Sequence, residues 1–231
     1  MNLEDIDWKL VSARMQLSGF AVVPGVLADE ECEVLKAGYD TGAYRKTVVM
    51  ERYRFGAGEY KYFDYPLPDI VAELRASVYP RLAPVAKAWF SALNLQGAFP
   101  PTHAGFLEEC RRHGQQQPAP LILKYGKGGF NTLHQDLYGE VYFPMQAVLF
   151  LSRPGTDYTG GEFVMTRQVP RAQSQAIVLT PGKGDMLIFT TRFKPAKGTR
   201  GYYRTGMKHG VSEVVRGERF TLGIIFHDAV S

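Results

Sequence analysis

Apolar residues recur at helical spacing from Trp8 to Leu17, and Gly19-Phe20-Ala21-Val22-Val23-Pro24 then reads as a short strand ended by proline. Asp29 is placed to cap a second helix, with Cys32, Val34 and Leu35 facing inward and Gly38 near its end. A third helix is predicted from Asp69 to Leu95. From Pro120 onward the rhythm changes. Short apolar runs separated by Gly and Pro cover Leu121 to Tyr125, Tyr142 to Leu151, Gly161 to Met165, Ala176 to Thr180, Asp185 to Thr190 and Phe220 to Phe226, the pattern of an all-β sandwich or barrel. Gln115-Gln116-Gln117-Pro118 reads as a connector between the two textures. The expectation is one α+β domain over residues 1–231, with a helical buttress and substrate-side loops at 1–119 and the β core at 120–229.

Composition narrows this picture only slightly. At 231 residues and 45% apolar content the chain can bury a real core. No apolar run is long enough to span a bilayer, and the opening Met-Asn-Leu-Glu-Asp lacks a secretory pattern, so a cytoplasmic location without membrane contact is expected. Cys32 and Cys110 stand far apart without C-x-x-C spacing and read as ordinary thiols. A net charge of +4 permits an anionic partner without requiring one. No obligate protein partner is evident.

Candidate chemistry begins at Thr132-Leu133-His134-Gln135-Asp136. Two ligand-type side chains spaced two apart on an extended strand project from one face. A third ligand must come from a distant strand, and His209 lies 73 positions after Asp136 in the same β-rich region. Two histidines and one carboxylate form a facial triad that leaves open positions on Fe(II), where a bidentate keto acid and dioxygen can both bind. The H-x-D pair alone is also common by chance. It gains meaning from Arg219-Phe220-Thr221-Leu222-Gly223-Ile224-Ile225-Phe226, where Arg219, Thr221 and Gly223 share one strand face and Phe220, Leu222, Ile224 and Phe226 the other. An inward guanidinium calls for an anion, and the distal carboxylate of 2-oxoglutarate suits it, with Thr221 adding a hydroxyl and Gly223 leaving room. The competing reading pairs Arg219 with Glu213 or Glu218 at a strand edge. Tyr125, nine residues before His134, is either a phenol donor to the co-substrate or a core tyrosine.

Over roughly residues 120–229 the H-x-D, distal His and Arg-x-Thr resemble the Fe(II)/2-oxoglutarate oxygenase superfamily, which implies a double-stranded β-helix (jelly-roll) fold. The runs Glu51 to Gly56, Gly58 to Phe63, His134 to Glu140, Gly160 to Phe163 and Thr221 to Ala229 look more narrowly like a bacterial family of oxygenases described as acting on damaged nucleic acid. That family is grouped with AlkB-type oxidative dealkylation, and a tyrosine nine residues before His-Gln-Asp is similar to the AlkB pattern. AlkB-type strands continue Arg-x-Asn-x-Thr-x-Arg, whereas this chain lacks the asparagine and the second arginine. The resemblance implies Fe(II), 2-oxoglutarate and dioxygen, with ascorbate supportive in vitro, and His134, Asp136 and His209 on the metal. It also implies a base in single-stranded DNA or RNA, or one flipped from a duplex.

Two stretches have the basic and aromatic character such a substrate needs. One is Tyr44 to Tyr65, where Arg52, Tyr53, Arg54, Tyr60, Lys61 and Tyr62 are the candidate contacts. The other is the connection before His209, with Arg192, Lys194, Lys197, Arg200, Arg204 and Lys208. Solvated charged loops and aromatics packed on the barrel are the plainer reading. A protein side chain or small molecule as substrate, a zinc hydrolase on the same triad, and a silent binding barrel are the alternatives.

Overall fold

The computed structural model describes residues 1–136 and 139–231; Leu137 and Tyr138, within the run His134 to Glu140 quoted above, lie outside the described residues. The N-terminal part contains α1 (Trp8–Ser18), β1 (Phe20–Val23), α2 (Asp29–Ala37), β2 (Tyr44–Val49), a 3-10 turn at Met50–Tyr53, β3 (Gly56–Ala57) and β4 (Glu59–Phe63). Two further helices follow, α3 (Asp69–Ala92) and α4 (His103–Arg112). The β-rich part runs through β5 (Leu121–Tyr125), β6 (Phe130–His134), β7 (Met145–Phe150), β8 (Tyr158–Gly160), β9 (Phe163–Gln168) and β10 (Gln175–Leu179). It ends with β11 (Met186–Thr190), β12 (Phe193–Gly198), β13 (Gly201–Val211), β14 (Val214–Gly217) and β15 (Arg219–Ile224).

The strands form two large antiparallel sheets. One has the order β1-β11-β7-β15-β5-β4-β2 and the other β10-β9-β13-β6-β3, with β12 hairpinned onto β13 and a small β14-β8 ribbon beside them. Side-chain alternation explains the layering. In β7, Val148 and Phe150 join Phe163, Met165, Leu187, Phe189 and Met207 between the sheets, while Ala147 and Leu149 face the other way into the helix-side core with Met15, Leu74, Trp89 and Phe106. β7 and β11 are buried along their whole length, as strands covered on both faces should be. No helix among the described residues is long and apolar enough to cross a membrane.

Several expectations shift at their boundaries. Ala28, not Asp29, holds the N-cap of α2; Glu31 accepts the Ala28 amide at 2.8 Å, while the Asp29 carboxylate pairs with Arg153 at 2.8 Å. Cys32 and Leu35 are buried, but Val34 is 71% exposed because it points to the opposite side of the helix. The third helix ends at Ala92, not Leu95. The N-terminal part is not purely helical, since β1, β2 and β4 extend the first sheet and β3 the second. Gln115 is more than a connector: its buried amide donates to the Asp228 and Val141 carbonyls. The stretch before His209 is the regular β12–β13 hairpin rather than a loop.

Candidate active site

A cavity of about 320 Å³ opens between the two sheets. On the second sheet β6 and β13 pair with His134 directly opposite His209. β6 ends at His134, and Asp136 follows just beyond it. The Gln135 amide between them donates to the Arg192 and Met207 carbonyls, each at 2.8 Å, which fixes this segment to the β12–β13 hairpin. One ligand-type atom from each of His134, Asp136 and His209 lies within 4.8 Å of the others. His134 Nε2 is 3.4 Å from Asp136 Oδ1, and His209 Nε2 is 3.3 Å from Asp136 Oδ2. Spacing two apart therefore brings the pair together as expected.

The surroundings orient these groups. His134 Nδ1 lies 2.7 Å from the Thr132 carbonyl, which takes the ring's N–H and leaves Nε2 turned to the cluster. The His209 ring is buried, stacked on Phe163 at 5.9 Å and against Phe189 at 4.7 Å. Burial alone would raise the Asp136 carboxyl, but the His209 and His134 imidazoles hold it well below the usual carboxylate range. Burial likewise presses both rings toward neutrality. Burial lowers His209 despite the Asp136 carboxylate, whereas at His134 the same carboxylate outweighs the burial and raises it. Two imidazole nitrogens and a carboxylate converging on one wall of a cavity are a donor set that fits a first-row divalent metal.

On the first sheet Arg219, Thr221, Gly223 and Ile225 line the same cavity, while Phe220, Leu222, Ile224 and Phe226 enter the helix-side core. Arg219 is 1% exposed, and neither its Nε nor its Nη2 has a hydrogen-bond partner. The aromatic rings of Phe150, Tyr125 and Tyr158 lie 5.3, 5.6 and 6.0 Å from its guanidinium carbon. The strand-edge pairing does not form: Glu218 turns to Lys124 at 2.9 Å. The two unpartnered nitrogens are donors that an anion in the cavity could complete. Gly161, at φ +63°, packs against the arginine, since a Cβ there would come within 3.0 Å of Arg219 Cδ. Tyr125 is fully buried on the cavity wall, and burial pushes its phenol up to about 12, so it keeps its proton.

Of the other expected contacts, Tyr60 and Tyr62 line the cavity together with Phe55. Tyr53 is exposed and stacks on Phe55, with centroids 5.5 Å apart at 19°, flanked by exposed Arg52 and Arg54. Lys61 does not face the cavity. It alternates away from Tyr60 and Tyr62 on β4, donates to the Tyr39 carbonyl at 3.0 Å and lies over the Tyr39 ring. Arg204 is exposed on β13, lies over Phe193 and is absent from the cavity wall. Sequence reasoning missed Asn131, whose amide donates to the Tyr125 hydroxyl at 3.3 Å, and Gln146, which donates to Asp136 Oδ2 at 2.7 Å. Gln146 had a readable signal, as the one polar residue in the run Met-Gln-Ala-Val-Leu-Phe.

The cavity and the sheets around it define a 2-oxoglutarate-dependent Fe(II) oxygenase, an oxidoreductase. A family model described as "Oxygenase, catalysing oxidative methylation of damaged DNA" matches residues 58–229, and the chain belongs to this family. Two uncharacterized proteins from strains of Mycobacterium tuberculosis are 42% identical over 167 residues, covering 72% of this chain and 72% of each relative. Among solved structures, a 2OG-Fe(II) oxygenase-family oxidoreductase from Burkholderia pseudomallei shares the fold. Its TM-score is 0.58 at 13% identity, over 100% of this chain and 97% of that one. A Pseudomonas putida prolyl-4-hydroxylase gives a TM-score of 0.57 at 14% identity, over 94% and 97%.

Proposed function

We propose that this chain, a single domain acting in the cytoplasm, folds its sheets into a double-stranded β-helix and oxidises a base in single-stranded or flipped-out DNA or RNA. The observation that carries the oxygenase assignment is one cavity holding both the His134–Asp136–His209 cluster and an Arg219 guanidinium with two unpartnered nitrogens. His134, Asp136 and His209 would hold Fe(II), with ascorbate keeping it reduced in vitro. Iron supplies, when bound, the centre at which dioxygen oxidises both the keto acid and a substrate C–H bond.

The protein's own groups do the positioning. Arg219 Nε and Nη2 donate to the distal carboxylate of 2-oxoglutarate, and the buried Thr221 hydroxyl beside them adds a donor. Asn131 donates to the Tyr125 oxygen, so the phenol's own proton is left to donate to the co-substrate. Phe163 and Phe189, packed on His209, and Val148 beside them make the wall at the metal end apolar. For the substrate, the exposed Tyr53–Phe55 stack between Arg52 and Arg54 offers a planar face with cations beside it, and Tyr60 and Tyr62 continue it into the cavity. That combination suits base stacking and phosphate contact. A hydroxylase of a protein side chain or small molecule is the second reading, favoured by the apolar Leu121, Leu123 and Ile225 on the cavity wall.

Succinate formation from 2-oxoglutarate with Fe(II) and ascorbate tests both levels. We expect turnover that is lost in His134→Ala and stimulated by single-stranded oligonucleotides carrying N-methylated bases, with formaldehyde released in step. Turnover indifferent to every strand would leave the second reading. No turnover with iron bound would remove the co-substrate assignment of Arg219.

A further inference from the structure

Gln146 stands where a polar side chain is least expected. β7 is buried along its whole length and otherwise carries Met, Ala, Val, Leu and Phe. The residue is 6% exposed and sits opposite Phe189 on β11. A buried carboxamide without a partner is destabilising, so an apolar residue would fit this strand better unless the amide is hydrogen-bonded. Its Nε2 donates to Asp136 Oδ2 at 2.7 Å. A carboxylate at this pH only accepts, so the bond also fixes which end of the carboxamide faces Asp136.

The same carboxylate also has His134 Nε2 at 3.4 Å and His209 Nε2 at 3.3 Å. Both nitrogens are needed as lone-pair donors when a cation is held, and a nitrogen bound to metal no longer donates a proton to Asp136. Gln146 is different: its amide nitrogen is no metal ligand, so a held cation does not compete for it. Asp136 lies past the end of β6, where strand pairing no longer restrains it. The donor from β7 adds a restraint from the opposite sheet.

We infer that Gln146 is a positioning residue that holds Oδ2 of Asp136 and so fixes the orientation in which the carboxylate faces the two imidazoles. This rests on the assignment of His134, Asp136 and His209 as the metal site. Donors behind metal ligands typically change affinity 10–100-fold when removed.

The test is a Co(II) titration of the full chain, followed by visible absorption, in the parent and in Gln146→Met, which keeps the side-chain length and removes the donor. Gln146→Leu serves as a second variant should the first not fold. The expected result is roughly 10–100-fold weaker Co(II) binding with an altered visible band, while the metal-free protein melts near the parent temperature. A folded variant with the parent affinity and spectrum would overturn the inference. So would weaker binding with an unchanged spectrum, because general loosening weakens binding without reorienting the carboxylate. A parent chain that binds no Co(II) would instead remove the metal site itself.

Discussion

Two arginines are each 1% exposed, yet their surroundings are opposite. Arg75, on α3, donates to the Ile225, Phe226 and His227 carbonyls, to the Tyr65 hydroxyl and to the Asp228 carboxylate, the last at 2.8 Å. Arg219, across the first sheet, faces aromatic rings and has two nitrogens without partners. Burial alone thus says nothing about role. A buried charge whose three nitrogens all have partners is a structural clamp, here tying α3 to the segment after β15. A buried charge with donors to spare is a candidate anion site.

Replacing each arginine should separate these roles. Arg75→Met strands the Asp228 carboxylate and three carbonyls in the core, so it should destabilise by about 3–5 kcal/mol in urea unfolding. Arg219→Met removes a charge that the ligand-free protein leaves incompletely paired, so the same measurement should show unchanged or higher stability. Equal destabilisation by both would erase the contrast.

The Arg75 side can be sharpened by pH. His103 Nε2 meets the Phe226 carbonyl at 2.8 Å, and burial, reinforced by the Arg75 charge, pushes its pKa down to about 4. The unfolded chain takes up that proton near pH 6.5 while the folded one does not. The contribution is therefore intact above about pH 6.5 and is lost as pH falls toward 4, up to about 3 kcal/mol in full. His103→Gln, which keeps a donor for the carbonyl, should flatten this part of the stability–pH curve. An unchanged slope would mean that the ring is not held neutral.

On the cavity side, Phe55→Ala removes one face of the exposed stack and should weaken binding of a single-stranded oligonucleotide by about 1–3 kcal/mol, read by fluorescence anisotropy, with little change in stability. Lys61→Ala should have the smallest effect. Its contacts to Tyr39, Asp40 and Glu59 lie on the other face of β4, so strand affinity should stay the same and stability fall by under about 1 kcal/mol.

The chemistry was more legible in the sequence than the architecture around it. Alternation along Arg219–Phe226 assigned both strand faces correctly, because one face is core and the other cavity. The spacing of His134 and Asp136 carried the cluster even though β6 stops at the histidine. What stayed hidden depends on partners distant in the chain. β4 has a mixed polar and aromatic pattern, since Tyr60 and Tyr62 meet the cavity while Lys61, on the other face, meets Tyr39. Gln146 stands out as the one polar residue of β7, but its partner appears only once the fold brings Asp136 beside it.

The most direct test of the central claim is calorimetric titration of 2-oxoglutarate into the Mn(II)-loaded chain without dioxygen, comparing the parent with Arg219→Met. Losing one partner of a buried charge pair costs about 2–5 kcal/mol, so affinity should fall by roughly 30-fold or more. A variant that folds, keeps its Mn(II) and binds 2-oxoglutarate as the parent does would contradict the account, because Arg219 would then not be the co-substrate's anchor.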